Sequence, residues 1–437
     1  MSEELLKYFK GDELAAGVWL GKYAQEGEET PDDMHKRMAK EFARIEGNKK
    51  VIKGSKKWND SVGKLSKYGS TIHYLTEERI YDLFKDFKYI IPQGSIMSQL
   101  GAKSIGSLSN CFVIGTPEDS YGGIFQKEEE MVQLMKRRGG VGIDISTLRP
   151  SGTDVSNAAK TTSGAVSFMN RFSNGTNEVA QNGRRGALML SIDINHPDVL
   201  DFIKIKRDLT KVTGANISVK LNDEFMKAVE NDEDYILRFP CDSHLSVSNY
   251  SDLYPSWDDG NLNYIPKDDV YIKLVRAKEY WDEIIKSAHG SAEPGIIFED
   301  NHHNYSPDGV YPQFKGVTTN PCGEIFMQAY DACRLIAVNL LSFVNNPFTS
   351  EAEFDIKKFY EVNYEAMRLS DDLIDLELER INRILEKIKN DNEPAEVKAR
   401  EFKLWKKVRD TAMASRRTGL GFTALGDTLA ALGYKYD

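Results

Sequence analysis

Cysteine is scarce in this chain: 437 residues carry four thiols, at positions 111, 241, 322 and 333. Thiols so few and so spread out do not form a structural disulfide framework, and the cytoplasm is the expected compartment. No Cys-x-x-Cys or His-Glu-x-x-His spacing occurs, so the sequence predicts no metal site. Long apolar runs are missing as well. No stretch of about 18 apolar residues exists, which excludes a membrane-spanning helix. Met1-Ser2-Glu3-Glu4 lacks the basic start of a secretion signal. Basic charge is in deficit, with 57 Lys and Arg against 67 Asp and Glu. The resulting net charge of −10 argues against non-specific nucleic-acid binding, while local basic pockets for small anions remain open. Low-complexity tails, blocks of like charge and repeats of solenoid period are also absent.

The content that is present predicts a soluble globular protein with an ample core, at 41% hydrophobic and 28% charged residues. The length fits two or three ordinary domains, or one large barrel with an extension. Residues 1–104 read as a polar, mostly helical region. Leu5 to Tyr23 has helical apolar spacing broken by Gly11 and Gly17. Pro31-Asp32-Asp33 opens a second helix with Met34, Met38 and Phe42 on one face. From Ser104 short apolar runs alternate with amphipathic helices. Strands are expected at Cys111–Ile114, Val141–Ile145 and Ala187–Ile192, with helices at Tyr121–Arg137 and Ser163–Val179 between them. That alternation predicts an α/β fold with parallel strands and crossover helices. A long helix is expected from Asp355 to Lys389, a break at Asn390–Pro394, and a last helical stretch ending in Arg416-Arg417-Thr418-Gly419-Leu420-Gly421.

Chemistry concentrates in Thr319-Asn320-Pro321-Cys322-Gly323-Glu324, with Cys333 eleven residues beyond Cys322. Pro321 and Gly323 mark a sharp turn. The turn presents a thiol between an amide and a carboxylate, which is a reactive setting more than a packing one. Taken singly, Cys111 before Phe112-Val113-Ile114 is a small core residue on a strand, and Cys333 in Tyr-Asp-Ala-Cys-Arg has an equally ordinary reading. Lys136-Arg137-Arg138-Gly139-Gly140-Val141-Gly142 is a glycine-rich strand entry that lets backbone approach a ligand closely, or simply a tight turn beside a basic helix.

In order and context, the three cysteines, Asn320 and Glu324 resemble the catalytic subunit of ribonucleotide reductases, whose finger loop carries Asn-x-Cys-x-Glu. The resemblance runs from about Tyr8 to Tyr436. It implies the first half of a ten-stranded α/β barrel over residues 105–437, with the finger loop near 318–335. It implies a thiyl radical on Cys322, a general base in Glu324 and a hydroxyl-holding amide in Asn320. Cys111 and Cys333 would form the redox pair, with Cα atoms about 4.4–6.8 Å apart when oxidised. Cys241 has no counterpart and is read as structural. Ser95, Asn110, Gly139 and Gly140 match substrate-contacting positions. Asp119, Ser120, Tyr121 and Arg149 match a site for a deoxynucleoside triphosphate or ATP effector with magnesium. Val155 and Ser156 stand where some relatives carry a second arginine. Lys206 to Asn216 resembles the loop that links effector to substrate choice, and Asn182 to Ala187 fits the entry to a barrel strand. The implied activity is radical reduction of ribonucleoside diphosphates to deoxyribonucleoside diphosphates for DNA synthesis, with a thioredoxin or glutaredoxin dithiol as reductant.

No covalently bound cofactor is expected. The Met-Lys-Arg-Arg-Gly-Gly-Val-Gly stretch and the N-terminal Tyr-Phe-Lys-Gly-Asp-Glu-Leu-Ala-Ala run favour a radical from a metal-containing small subunit. The short Cys322-to-Cys333 spacing suits an adenosylcobalamin-dependent enzyme equally well. Barrels of this family continue past Ala430–Tyr434, so the chain is expected to be the N-terminal piece of a split or truncated subunit. Its expected partners are the complementary C-terminal half, the small subunit and a second copy of the assembled subunit. No activity-setting nucleotide cone is expected before the barrel. Two other classes stay open: a non-catalytic nucleotide-binding regulator, and a glycyl-radical enzyme on the same barrel.

Overall fold

A computed structural model describes residues 1–53, 74–179, 186–243, 263–265 and 270–437. The expected strand entry at Asn182–Arg185 lies outside the described residues. The chain forms two compact units, one of residues 111–331 and one of residues 1–110 with 332–437.

The 111–331 unit is α/β, as the alternation of runs predicts. Its strands Cys111–Val113, Gly140–Asp144, Leu188–Asp193, Asn216–Leu221 and Gly295–Phe298 pair in parallel, each with the next in chain order. Helices Tyr121–Met135, Met169–Glu178 and Val199–Lys204 occupy the crossovers between the first four strands. The first three strands are near-continuous apolar runs, and the Gly140–Asp144 strand is buried at every position, as expected of a strand covered on both faces, whereas Gly295–Phe298 is exposed at three of its four positions. Before the fifth strand the chain adds an antiparallel excursion, in which Asp234–Phe239 and Asn263–Ile265 both pair with Val270–Arg276. The finger follows as a short hairpin of Thr318–Thr319 against Phe326–Met327. It seats on the Gly140–Asp144 strand through two glycines. A Cβ at Gly142 would stand 1.9 Å from the Thr319 carbonyl oxygen, and one at Gly140 would stand 2.8 Å from Pro321 Cγ. Only glycine permits that approach.

The other unit does not divide at residue 104. The N-terminal helices Glu13–Lys22, Pro31–Lys53 and Glu77–Phe84 share one core with the 35-residue helix Ile356–Asn390. Met34, Met38, Phe42, Phe84, Leu369 and Leu373 are fully buried in it. A change in sequence texture marks where strands begin, but not which distant helix covers an apolar face. The long helix matches its expected bounds and is capped by Asp355, whose side chain accepts from Lys358 N–H at 2.9 Å. A second helix, Ala395–Ser415, follows and ends at Arg416 in the left-handed region, φ 42°. Gly11, at φ +88°, lies between the helices Glu3–Tyr8 and Glu13–Lys22, whereas Gly17 sits inside Glu13–Lys22 with open space around it. An exposed helix absorbs such a glycine for about 1 kcal/mol.

One expected element changes type. Gly419-Leu420-Gly421 is not a helix end but the start of a strand, Gly419–Thr423, parallel to Leu335–Asn339, which also pairs antiparallel with Ile90–Pro92. A Cβ at Gly419 would meet Leu335 Cδ2 at 2.7 Å, so the glycine is there for close strand packing.

Candidate active site

The finger hairpin builds its own turn. Asn320 N–H donates to the Ile325 carbonyl at 3.2 Å, and Ile325 N–H returns to Asn320 Oδ1 at 3.2 Å. Gly323 N–H closes on the Asn320 carbonyl at 3.0 Å, with Gly323 at φ +83°. The result raises Cys322, Gly323 and Glu324 to the surface while Asn320 stays fully buried. Asn320 spends its Oδ1 on the turn, and its Nδ2 donor is buried with no protein partner. A buried amide donor without a partner is costly, and it is the group that a ligand hydroxyl would satisfy.

The Cys322 thiol is hydrogen-bonded with that of Cys111 on the first strand. That bond, partial desolvation and the nearby Glu324 charge together push the Cys322 thiol well above its ordinary value. It therefore holds its hydrogen at neutral pH. A thiol poised as S–H suits hydrogen-atom transfer rather than nucleophilic attack by a thiolate. Cys111, Asn320, Cys322 and Glu324 are thus assembled in one place, and all four cysteines are free thiols.

In the other unit the structure brings together Ser95, Asn110 and Cys333. Asn110 Oδ1 accepts from Ser95 N–H at 2.8 Å, and Asn110 N–H donates to the Cys333 carbonyl at 3.1 Å. Gly94 lies against the same oxygen at φ +39°. Asn110 Nδ2 is a second buried amide donor with no protein partner. Two residues absent from the sequence reading fix this region. Glu377, fully buried on the long helix, accepts from Ser107 Oγ, from Leu108 N–H at 2.7 Å and from Ser109 Oγ at 3.0 Å. Arg334, beside Cys333, donates to Ser109 Oγ at 3.2 Å and to the Arg417 carbonyl at 3.1 Å. The sequence signal for Glu377 is weak: it is one acid on a charged helix.

Gly139 and Gly140 have a packing reason of their own. A Cβ at Gly139 would stand 2.2 Å from the buried Phe112 ring, and Gly140 carries Pro321. Cys241 lies at the opposite, C-terminal ends of the strands, where its thiol donates to the Ser146 carbonyl at 3.6 Å and its carbonyl accepts from Asn195. Burial pushes that thiol upward.

The four expected effector residues line one cavity of roughly 230 Å³, together with Val155, Ser156 and Phe168. Ser120 caps the 15-residue helix Tyr121–Met135, its Oγ accepting from Gly123 N–H at 3.1 Å. The positive end of that helix faces the cavity mouth, a favourable place for an anion. Arg149 is held by Asp119, Nε to Oδ2 at 2.6 Å, and also donates to the Asp154 carbonyl. Val155 and Ser156 make a neutral wall, so Arg149 supplies the cationic side chain of the lining.

The Cys322 thiol on the glycine-seated hairpin and the Cys111 thiol on the first parallel strand thus meet on an α/β sheet. Residues 109–437 match the family described as "Ribonucleotide reductase, barrel domain", and the chain belongs to that family. It is similar to the vitamin B12-dependent ribonucleoside-diphosphate reductase of Mycobacterium tuberculosis, 29% identical over 362 residues, 82% of this chain and 43% of that one. The enzyme of the same name from Thermoplasma acidophilum is 31% identical over 324 residues, 72% of this chain and 37% of the other. A ribonucleoside-diphosphate reductase large subunit of Caenorhabditis elegans is 26% identical over 282 residues, 62% and 34% of the two chains. The chain spans less than half the length of the curated relatives it matches. No helix among the described residues is long and apolar enough to cross a membrane.

Proposed function

We propose that this chain carries the thiol half of an adenosylcobalamin-dependent ribonucleotide reductase, acting on ribonucleoside diphosphates, and that its parallel sheet is the first part of the family's ten-stranded barrel. The single observation that carries the reading is Cys322: an exposed thiol bonded to Cys111, with Asn320's unpaired amide beneath it. In favour of this radical source over the expected small subunit, relatives at 29% and 31% identity are named as vitamin B12-dependent.

The residues suit such a group. Cys322 is exposed, and nothing stands within 4 Å of a Cβ built on Gly323, so a bulky cofactor has access to the thiol over the Cys322–Gly323 face. When bound, adenosylcobalamin supplies an organic radical able to take the thiol hydrogen. The Cys322 thiyl then removes the hydrogen atom at C3′ of the ribose. Glu324 accepts the 3′-hydroxyl proton, which eases loss of the 2′-hydroxyl. Asn320 Nδ2 holds a substrate hydroxyl. Cys111 protonates the leaving 2′-hydroxyl, which departs as water. Cys111 and Cys333 give up two protons and two electrons in all, one proton leaving in the water and the other hydrogen going to C2′, and end as a disulfide, while Glu324 returns its proton to the 3′ oxygen and Cys322 returns its hydrogen to C3′. A thioredoxin- or glutaredoxin-type dithiol restores the pair. The cavity at Asp119, Ser120, Tyr121 and Arg149 takes a deoxynucleoside triphosphate or ATP with magnesium as effector. The partners in this reading are a polypeptide supplying the rest of the relatives' length and a second copy of the assembled subunit.

The test is deoxynucleotide formation from a ribonucleoside diphosphate by the chain co-expressed with that complementary polypeptide, with adenosylcobalamin and a dithiol present. Cys322→Ser abolishes product, because a serine O–H bond is too strong to relay hydrogen. Product from Cys322→Ser at near wild-type rate overturns the site. Product that needs a metal-containing protein in place of the cobalamin overturns the cofactor.

A further inference from the structure

The internal hydrogen bonds of the finger fix the shape of its turn, and the two glycines seat its base. The Cys111 thiol and the side-chain amide of Asn216 reach the tip from outside the hairpin. Asn216 Nδ2 donates to the Pro321 carbonyl at 2.9 Å, one residue before Cys322.

Asn216 is itself firmly based. It opens the fourth parallel strand, where its backbone pairs with Met189. Ile217 N–H next to it donates to Glu293 Oε1 at 2.9 Å, and Glu293 is bridged to Lys206 at 2.6 Å. On the other side, Gly214 N–H donates to Ser173 Oγ at 2.8 Å, and Asn177 Nδ2 donates to Thr213 Oγ1 at 3.1 Å. A Cβ at Gly214 would stand 2.3 Å from the Ser173 carbonyl. The residues flanking Asn216 are therefore pinned to the sheet and to the helix Met169–Glu178. A donor on so rigid a base places its acceptor.

We propose that Asn216 is the positioning residue of the thiol turn: by holding the Pro321 carbonyl it keeps Cys322 in hydrogen-bond register with Cys111. The proposal rests on the reading of Cys322 as the reactive thiol, but its test needs no turnover. In register, the Cys322 thiol is held protonated and reacts slowly with alkylating reagents. Released, the tip swings off Cys111 and the thiol behaves like any exposed cysteine.

The experiment compares iodoacetamide labelling of Cys322 at pH 8, read by peptide mass spectrometry, in wild type, Asn216→Ala and Asn216→Asp. The aspartate keeps size and shape and removes the donor. Labelling of Cys241 in the same samples reports general loosening of the unit. The loss of one neutral hydrogen bond predicts that Cys322 labels about three- to tenfold faster in both variants, while Cys241 is unchanged. Cys322 rates within about twofold of wild type in both variants overturn the proposal, and so does a parallel rise at Cys241. If Cys322 accelerates alone and the assembled protein makes no deoxynucleotide, the positioning role stands and the reductase reading falls.

Discussion

At the scale of single residues, the state of Cys322 is the most testable feature. Its thiol is raised first by the Cys111 hydrogen bond. Cys111→Ala removes that cause, so the variant's Cys322 alkylates at pH 8 at least about tenfold faster, one unit of thiol pKa being a tenfold change in thiolate. Equal rates with iodoacetamide would mean that the bond does not control the thiol. The proposed redox pair makes a separate prediction. After one turnover without reductant, peptide mapping of the assembled enzyme finds a Cys111–Cys333 disulfide and a free Cys241. A Cys111–Cys241 link would mean that the pair is misassigned. Arg149 makes a third. Its fork already spends one arm on Asp119 and one on the Asp154 carbonyl, leaving limited capacity for phosphate. Arg149→Ala is expected to weaken deoxynucleoside triphosphate binding by about 1.5–3 kcal/mol, the worth of a charge-assisted contact. Unchanged affinity in titration calorimetry would remove Arg149 from the effector site.

At the scale of elements, the long helix Ile356–Asn390 does more than cover a core. Its Glu377 receives three donors from Ser107, Leu108 and Ser109, and its Arg380 donates to the carbonyls of Ala102 and Gly106 at 3.0 Å each. One helix face thus holds the chain that runs into Asn110. Glu377→Ala leaves three buried donors unpaired and is expected to cost on the order of 3 kcal/mol or more, whereas Glu377→Gln keeps acceptor capacity and costs less. Urea unfolding of both variants checks the order, and equal loss would refute the hydrogen-bond account. None of this was legible in the sequence. The finger was, because Pro321, Gly323 and a rare cysteine coincide, and each has a local meaning. The first three parallel strands were, because their apolar runs are short and continuous; Asn216–Leu221, which alternates polar and apolar residues, and the four-residue Gly295–Phe298 were not. Glu377 and Asn216 act on segments far away in the chain, so no window around either residue carries the signal. Gly419–Thr423 was misread because a strand too short for a period, directly after a helix, looks like the helix's frayed end.

At the scale of the whole molecule, the two units carry titrations of opposite sign. His35 is 1% exposed in the core of the unit holding both chain ends, edge-on to Phe87 at 4.7 Å, with both ring nitrogens unpartnered. Burial pulls it down to about 4 against the attraction of Asp32 and Asp86. Between pH 4 and 6.5 the unfolded chain binds a proton here that the folded chain refuses. Stability from this group is therefore complete above pH 6.5 and is lost as pH falls towards 4, by on the order of 3 kcal/mol. Asp193 ends the third strand of the other unit beside Lys220, Glu299 and Asp144, and burial lifts it to about 7. There the folded state binds the extra proton, so its contribution is complete below about pH 4 and is lost as pH rises through 7. Hydrogen exchange resolved along the chain separates the two. Comparing pH 7.5 with pH 5, His35→Leu removes a loss of protection in the helix Pro31–Lys53 that wild type shows. Asp193→Asn removes a gain in the strand Leu188–Asp193. If either substitution leaves the pH dependence of its own unit unchanged, that group is not the one titrating.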